Sequence, residues 1–289
     1  MTVAAGEFCV LLGSSGCGKS TTLRMINRLI ATDSGSIRVA GQDIRNVPPE
    51  ALRRRIGYAI QGHGLFPHRT VAENVATVPR LLGWSEERIS SRVQELLEIF
   101  QLDPGLYAGA LPHQLSGGQQ QRVGVARALA AEPGVLLMDE PFGALDPIIR
   151  AKAQEDLLGI QRRFGTTMVL VTHDMDEAFR LGHRVAVMRE GRLLQYDRPA
   201  VLLTHPSDPF VARMTGLTDR AMKLLALTTA GEAVHPGSSE GPRVASSASL
   251  RDVLSELLWS GAASALVLGE DGSPRGQLSV AAILARARP

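Results

Sequence analysis

Two cysteines in 289 residues, Cys9 on an apolar run and Cys17 in the loop after it, exclude a disulfide framework as the basis of the fold. No run of about twenty apolar residues occurs, so no membrane-crossing helix is expected, and the opening residues do not read as a signal peptide. A formal net charge of +2 is too mild to argue for a nucleic-acid partner. Aromatic residues are scarce, and no dense Lys/Arg stripe carries aromatics between its charges. What is plentiful is core material: 44% of the chain is hydrophobic, enough for one large or two modest domains.

The most informative stretch is Gly13-Ser-Ser-Gly-Cys-Gly-Lys-Ser20, which follows the apolar run Phe8 to Leu12 and opens a helix-like segment from Thr21 to Ile30. That context is the one a phosphate-binding loop requires. Gly13 and Gly18 permit a tight turn and close approach, so backbone N–H groups of Ser14, Ser15, Gly16 and their neighbours can curl around a phosphate at a helix N-terminus. Lys19 would reach the β- and γ-phosphates, Ser20 would offer its hydroxyl to Mg²⁺, and Thr21 would extend the cradle. Cys17 occupies an unconstrained position of the loop. The bland alternative is a Gly/Ser loop that matches by chance.

Further along, Leu115-Ser-Gly-Gly-Gln119 precedes a helix-compatible stretch, and Val135-Leu-Leu-Met-Asp139 reads as a buried strand ending at Glu140. Gly143-Ala-Leu-Asp146 follows. Val169 to Thr172 is another buried strand with His173 at its end, and Gln61 stands after Tyr58-Ala-Ile60. In order and spacing these motifs resemble those of ABC transporter ATPase subunits. The resemblance implies an α/β, P-loop NTPase fold of ABC type, with a RecA-like core and a helical subdomain over about 62–132. It marks Ser116, Gly117, Gly118 and Gln119 as the signature loop, Asp139 and Glu140 as the end of the Walker B strand, Asp146 as the nucleotide-contacting residue of the D-loop, Gln61 as the Q-loop glutamine and His173 as the switch histidine.

The roles have physical content as well. Asp139, beside the phosphate loop, would hold Mg²⁺ together with Ser20 and Gln61. Glu140 would polarise an attacking water, with His173 and Gln61 completing the catalytic group. Two adjacent carboxylates could instead cap the next helix, although Pro141 argues against an ordinary helix start at Glu140. Ser116 to Gln119 form a second anion-binding nest, separated from the first by a long helical segment. One ATP is not easily held by both in a single chain. The resemblance implies a two-fold dimer in which each ATP lies between one copy's Gly13–Ser20 and the other's Ser116–Gln119.

Residues 85–102 read as an amphipathic helix capped by Ser85, and Gly62 to Val78 as either a loop or the surface that receives membrane subunits in this family. The likeness is narrower still. TTLRMINRLI, GLFPH, TVAENVATVPRLLGW and HQLSGGQQQRVGVARALAAEP resemble ATPases of importers for glycine betaine, choline and related osmoprotectants, over residues 6 to about 216. This implies membrane permease subunits and a solute-binding protein as partners, a peripheral place at the cytoplasmic face of the cell membrane, and no nucleic acid. A different transported solute, a soluble ABC ATPase of DNA repair or translation, and a nucleotide binder that does not hydrolyse are the alternatives.

Two departures stand against the family pattern. The family's first strand and its adenine-stacking aromatic have no counterpart in Met1 to Leu12, and Thr2 to Phe8 read like the end of a second strand; Met1 is therefore expected to be an internal methionine. The domain expectation is 1–216 for the ATPase and 217–289 for a linker and a single CBS-like motif. Gly231 to Ser249, rich in Gly, Pro and Ser, reads as linker or loop. Beyond it the pattern is helix Leu250–Leu258, strand Ala265–Leu268, turn Asp271-Gly272, strand Gln277–Ser279 and helix Val280–Arg288. From Gly231 on, five Arg/Lys face six Asp/Glu, which lacks the basic surface of an anionic-membrane sensor. A dimerisation or packing module is the expectation.

Overall fold

The computed structural model describes every residue except Gln61, His63, Ala144, Leu217 and Pro289. The chain divides into two compact units, 1–196 and 197–289. The sequence boundary at 216 follows family likeness, and the compact units part twenty residues earlier.

In the first unit the strands are β1 (Phe8–Gly13), β2 (Arg38–Val39), β3 (Gln42–Asp43), β4 (Ile56–Ala59), β5 (Val135–Asp139), β6 (Thr167–Thr172), β7 (Arg184–Arg189) and β8 (Arg192–Asp197). The main sheet runs β4-β5-β6-β1-β7-β8, and β2 pairs with β3 apart from it. β4 with β5, β5 with β6, β6 with β1 and β1 with β7 are all parallel. Parallel strands need both faces covered, which is why β1 is buried at all six positions and Leu136, Leu137 and Met138 have no exposed surface. Only Glu190 and Gly191, both with positive φ, separate β7 from β8, as in a tight hairpin.

The registers decide where chemistry can occur. Leu12 lies opposite Thr172 and Gly13 opposite Met188, while Asp139 lies opposite Val171. The carboxyl ends of β1, β5 and β6 therefore come to one edge, where ligands of open parallel sheets bind.

Helices Val71–Val75, Thr77–Leu81, Glu86–Ile99, Pro104–Tyr107 and Gly117–Leu129 lie in the segment expected to be helical. Ser85 caps the third of them as expected, its Oγ accepting from the Arg88 N–H. Ile89, Val93, Leu96 and Leu97 are buried at helical spacing, each worth about 1.5–3 kcal/mol relative to exposure. The stretch from Gly62 to Val78 is more than a loop. Asn74 is fully buried, accepts from the Phe66 N–H at 2.8 Å, and donates to the carbonyls of Phe66, Arg69 and Thr70. That pattern satisfies both ends of the amide, its two N–H groups shared among three carbonyls, and ties the turn to the helix.

The second unit holds β9 (Arg243–Ala245), β10 (Ser264–Leu268) and β11 (Pro274–Ser279) in the order β11-β10-β9, with β10 antiparallel to β11 and parallel to β9. Helices Leu250–Ser260 and Val280–Arg286 pack on it, and Leu254, Leu257, Ala265, Val267, Leu278 and Ile283 share one core. The elements expected after residue 250 are present. The stretch 231–249 differs from a simple linker, because Arg243–Ala245 supplies an edge strand and His235 bridges to Gln277. Its Gly/Pro/Ser content hides a three-residue strand whose only signal is Val244.

Candidate nucleotide site

β1 ends at Gly13, where a Cβ would lie 2.4 Å from the Met188 carbonyl oxygen and 2.6 Å from Cys17 Sγ; only glycine fits. Gly18, with φ of 102°, stands before the helix Lys19–Ile26, and no side chain caps that helix. Its first N–H groups are left to an incoming anion. Ser14, Ser15 and Gly16 are exposed. Cys17 points the other way: its side chain joins the core with Leu11, Leu23 and Met188, while its N–H donates to the Ser14 carbonyl at 3.3 Å. Thr21 is exposed on the first turn.

Lys19 is nearly buried and folds over the loop it serves. Its ammonium donates to the Gly13 carbonyl at 2.7 Å and the Ser14 carbonyl at 2.9 Å, and its third contact, to Cys17 Sγ at 3.8 Å, is weak enough for a phosphate oxygen to displace. Ser20 Oγ donates to Asp139 Oδ1 at 2.8 Å. The two oxygens expected to share a cation thus lie together. Among the described residues no cluster of three or more His, Cys, Asp or Glu could hold a metal ion. Nearby, burial pushes the Tyr58 hydroxyl above its ordinary pKa, and the Asp139 charge adds to the effect.

Glu140 has φ of 48°, unusual for a residue with a side chain, and its N–H donates to the Val171 carbonyl at 3.0 Å. The turn sends its carboxylate away from Asp139 toward His173, whose Nδ1 lies 3.4 Å from Glu140 Oε1. Both line a cleft of about 290 Å³ with Ile60, Gln121, Gly124 and Pro141. Gln61, the third expected catalytic residue, lies outside the described residues.

Ser116 caps the helix Gly117–Leu129 through a reciprocal box: its Oγ accepts from the Gln119 N–H at 3.3 Å, and Gln119 Oε1 accepts from the Ser116 N–H at 2.8 Å. Gln119 Nε2 also donates to the Tyr107 hydroxyl at 3.0 Å. Gly118 packs against the next element, since a Cβ there would lie 3.3 Å from both Leu145 and Ile149. Asp146 caps the long helix Pro147–Phe164, with Oδ1 accepting from the Ile148 and Ile149 N–H groups. The structure therefore brings together Ser20 with Asp139 and Glu140 with His173. Among the described residues, the side-chain hydrogen bonds of Ser116 and Gln119 run to each other and, from Gln119, to Tyr107 on the helix Pro104–Tyr107, and none reaches Lys19, Asp139 or Glu140.

Sequence reasoning missed the support beneath His173. Asp174 caps the helix Met175–Leu181, and Glu177, buried, meets Thr172 and Gln154, the latter donating at 3.2 Å. Asp174 followed three residues later by Glu177 is a helix-start signature that was available in the sequence.

Comparison with known proteins agrees with this geometry. Residues 1–143 match the family model described as ABC transporter. The chain is 49% identical over 283 residues to the glycine betaine uptake system ATP-binding protein YehX of Escherichia coli (strain K12), an alignment that covers 98% of this chain and 92% of that one. It is 51% identical over 232 residues to the osmoprotectant import ATP-binding protein OsmV of Salmonella typhimurium, covering 80% of this chain but only 60% of OsmV. Among solved structures, the dimeric post-hydrolysis state of the ATP-binding cassette MJ0796 bound to ADP and Pi superposes with a TM-score of 0.62 at 34% identity, over 68% of this chain and 88% of that one. The phosphate loop, the signature helix and the paired carboxylates at one sheet edge thus carry a kinship of sequence as well as of shape, and the chain belongs to the ABC transporter family as one of its ATPase subunits.

Proposed function

We propose that this chain hydrolyses ATP to power an importer for quaternary-ammonium osmoprotectants such as glycine betaine or choline. The observation that carries the reading is the placement of Glu140, 3.4 Å from His173 and next in sequence to an Asp139 already bonded to Ser20. The site has phosphate-facing N–H groups, a buried ammonium and a general base at one edge, the parts that ATP hydrolysis needs. The solute follows from the relatives, which are named for glycine betaine uptake and osmoprotectant import.

Within the site, the N–H groups of Ser14 to Gly18 and the Lys19 ammonium bind the phosphates. Ser20 and Asp139, with Gln61, would hold Mg²⁺, which when bound neutralises charge on the β/γ-phosphate oxygens. Glu140 takes a proton from the attacking water, and His173, 3.4 Å from its carboxylate, steadies that geometry. Ser116, Gly117, Gly118, Gln119 and Asp146 complete the site on a second copy, consistent with the dimeric form of MJ0796. ATP then holds two subunits closed, and loss of the γ-phosphate releases them.

Among the described residues no helix is long and apolar enough to cross a membrane. Transport then requires permease subunits, with a solute-binding protein delivering cargo, and the ATPase sits peripherally at the cytoplasmic face of the membrane. The tail, 217–289, is read as a CBS-like packing or dimerisation module. In cells, labelled glycine betaine uptake supported by the wild-type chain should vanish in Glu140→Gln, whose purified form should bind ATP yet hydrolyse it about 10²–10⁴-fold more slowly. Near-normal hydrolysis would overturn the catalytic assignment, and ATP-dependent uptake of some other solute alone would overturn the cargo.

A further inference from the structure

The long helix Pro147–Phe164 touches the His173 segment at two points on one face. Gln154 donates to Glu177 Oε1 at 3.2 Å. One turn earlier, Arg150 divides its guanidinium between two segments. One terminal nitrogen donates to the Leu145 carbonyl at 3.0 Å, and the other pairs with Asp174 Oδ2 at 3.5 Å.

Asp174 is the residue after His173, and both of its carboxylate oxygens have partners. Oδ2 takes Arg150, Oδ1 accepts from the Glu177 N–H at 3.1 Å, and the Asp174 N–H donates to Thr172 Oγ1 at 3.0 Å. The backbone on both sides of His173 is thereby pinned. On the other side of Arg150, Leu145 and Ile149 abut Gly118 at the start of the signature helix. A continuous line of contacts runs from Gly118 through Leu145 and Arg150 to Asp174, His173 and Glu140.

We infer that Arg150 is a positioning residue for ATP hydrolysis: it sets the angle of His173 against Glu140 and makes that angle depend on the turn that ends at Asp146. Stability is not its main contribution. The Arg150 and Asp174 side chains are 32% and 38% exposed, and ion pairs that open to water add little to folding. What the fork supplies is direction, because a planar guanidinium holds two acceptors at a fixed separation, which an ammonium does not. The inference rests on the reading of Glu140 and His173 as the catalytic pair.

The test uses the full chain and three variants, Arg150→Gln, Arg150→Lys and His173→Ala. Arg150→Gln should lower kcat about 10- to 100-fold, the scale of a small misplacement, with KM and ATP affinity within about twofold and thermal stability little changed. Arg150→Lys should recover part of the loss. In a His173→Ala background, Arg150→Gln should produce no further fall in kcat. In histidine-labelled protein, the His173 imidazole resonances, identified by their loss in His173→Ala, should shift in Arg150→Gln while those of His113 stay in place.

An unmoved His173 resonance would overturn the inference whatever happens to kcat, and so would full additivity of the two substitutions. If His173→Ala hydrolyses ATP at the wild-type rate, the catalytic reading fails, and the resonance shift still decides whether Arg150 orients that histidine. Should Arg150→Gln fold poorly, the same measurements on Arg150→Lys decide: an undisturbed resonance and a normal kcat there overturn the role of the fork.

Discussion

Ser20 Oγ donates to Asp139 Oδ1 at 2.8 Å, so residues 119 apart in sequence present two oxygens to the same point beside the phosphate loop. Ser20 belongs to the first turn of the helix after β1 and Asp139 to the last position of β5. The parallel register from β5 through β6 to β1 makes them neighbours. Both oxygens are hard ligands, suited to Mg²⁺ that keeps some of its water.

This pairing predicts a shifted metal requirement in Asp139→Asn. The Mg²⁺ concentration for half-maximal hydrolysis at fixed ATP should rise more than about tenfold, since one charged ligand becomes neutral. A Mg²⁺ titration superimposable on the wild type would remove Asp139 from the metal site.

Lys19→Ala should weaken ATP binding by about 10- to 100-fold, the worth of one strong charge-assisted hydrogen bond. The ammonium is held on the Gly13 and Ser14 carbonyls, so its loss should also loosen the loop itself. Titration with a slowly hydrolysed ATP analogue measures the change, and an unaltered affinity would count against the whole phosphate site.

A shared site makes a different prediction. Lys19→Ala and Ser116→Arg subunits, each inactive alone, should recover part of the ATPase activity when mixed, because one of the two sites in the heterodimer then carries neither lesion. If the site lay within one chain, every site would carry a lesion and no mixture would recover. Formation of the heterodimer can be followed by differential tags, and a crosslink between the Ser14 and Gly117 positions would exclude strict cooperation between two intact requirements.

Glu177 offers a test in pH. Burial raises its carboxyl pKa above the ordinary value near 4.3, against the opposing hydrogen bonds from Thr172 and Gln154. Below the unfolded value the group is protonated in both states and costs nothing. As pH rises from there through the higher folded value, the unfolded chain releases its proton first, and stability is lost. Glu177→Gln removes that loss. The Tm difference, variant minus wild type, should therefore become more positive as pH rises above the ordinary carboxyl value. A difference that is flat or that falls with pH would show that Glu177 is ionised in the fold without penalty.

Much of the site was readable from local pattern. A glycine-rich loop between an apolar run and a helix has few meanings, and Ser116 with Gln119 three residues on is a capping box in the sequence as well as in the structure. The amphipathic helix behind Ser85 was readable for the same reason: its spacing repeats within a single element. Cys17 shows the limit. The motif leaves its position unconstrained, and only the packing of the loop on Leu23 and Met188 turns its side chain into the core.

By itself the sequence determined the kinds of element and the residues each would offer to phosphate, because periodicity, glycine placement and capping are written over a few consecutive positions. It also carried the family, through motifs whose order survives without any knowledge of contacts. Tertiary structure alone decided which of the chain's many charges meet. Nothing in the sequence distinguishes Arg150, which bridges Leu145 and Asp174, from Arg162 or Arg163 on the same helix, nor marks Asn74 as the buried knot of its turn. The same holds for Arg243–Ala245, whose strand exists because β10 lies alongside it. Such choices depend on the register of strands and the rotation of helices against one another, quantities set by how all the apolar faces pack at once and not by any one stretch of residues.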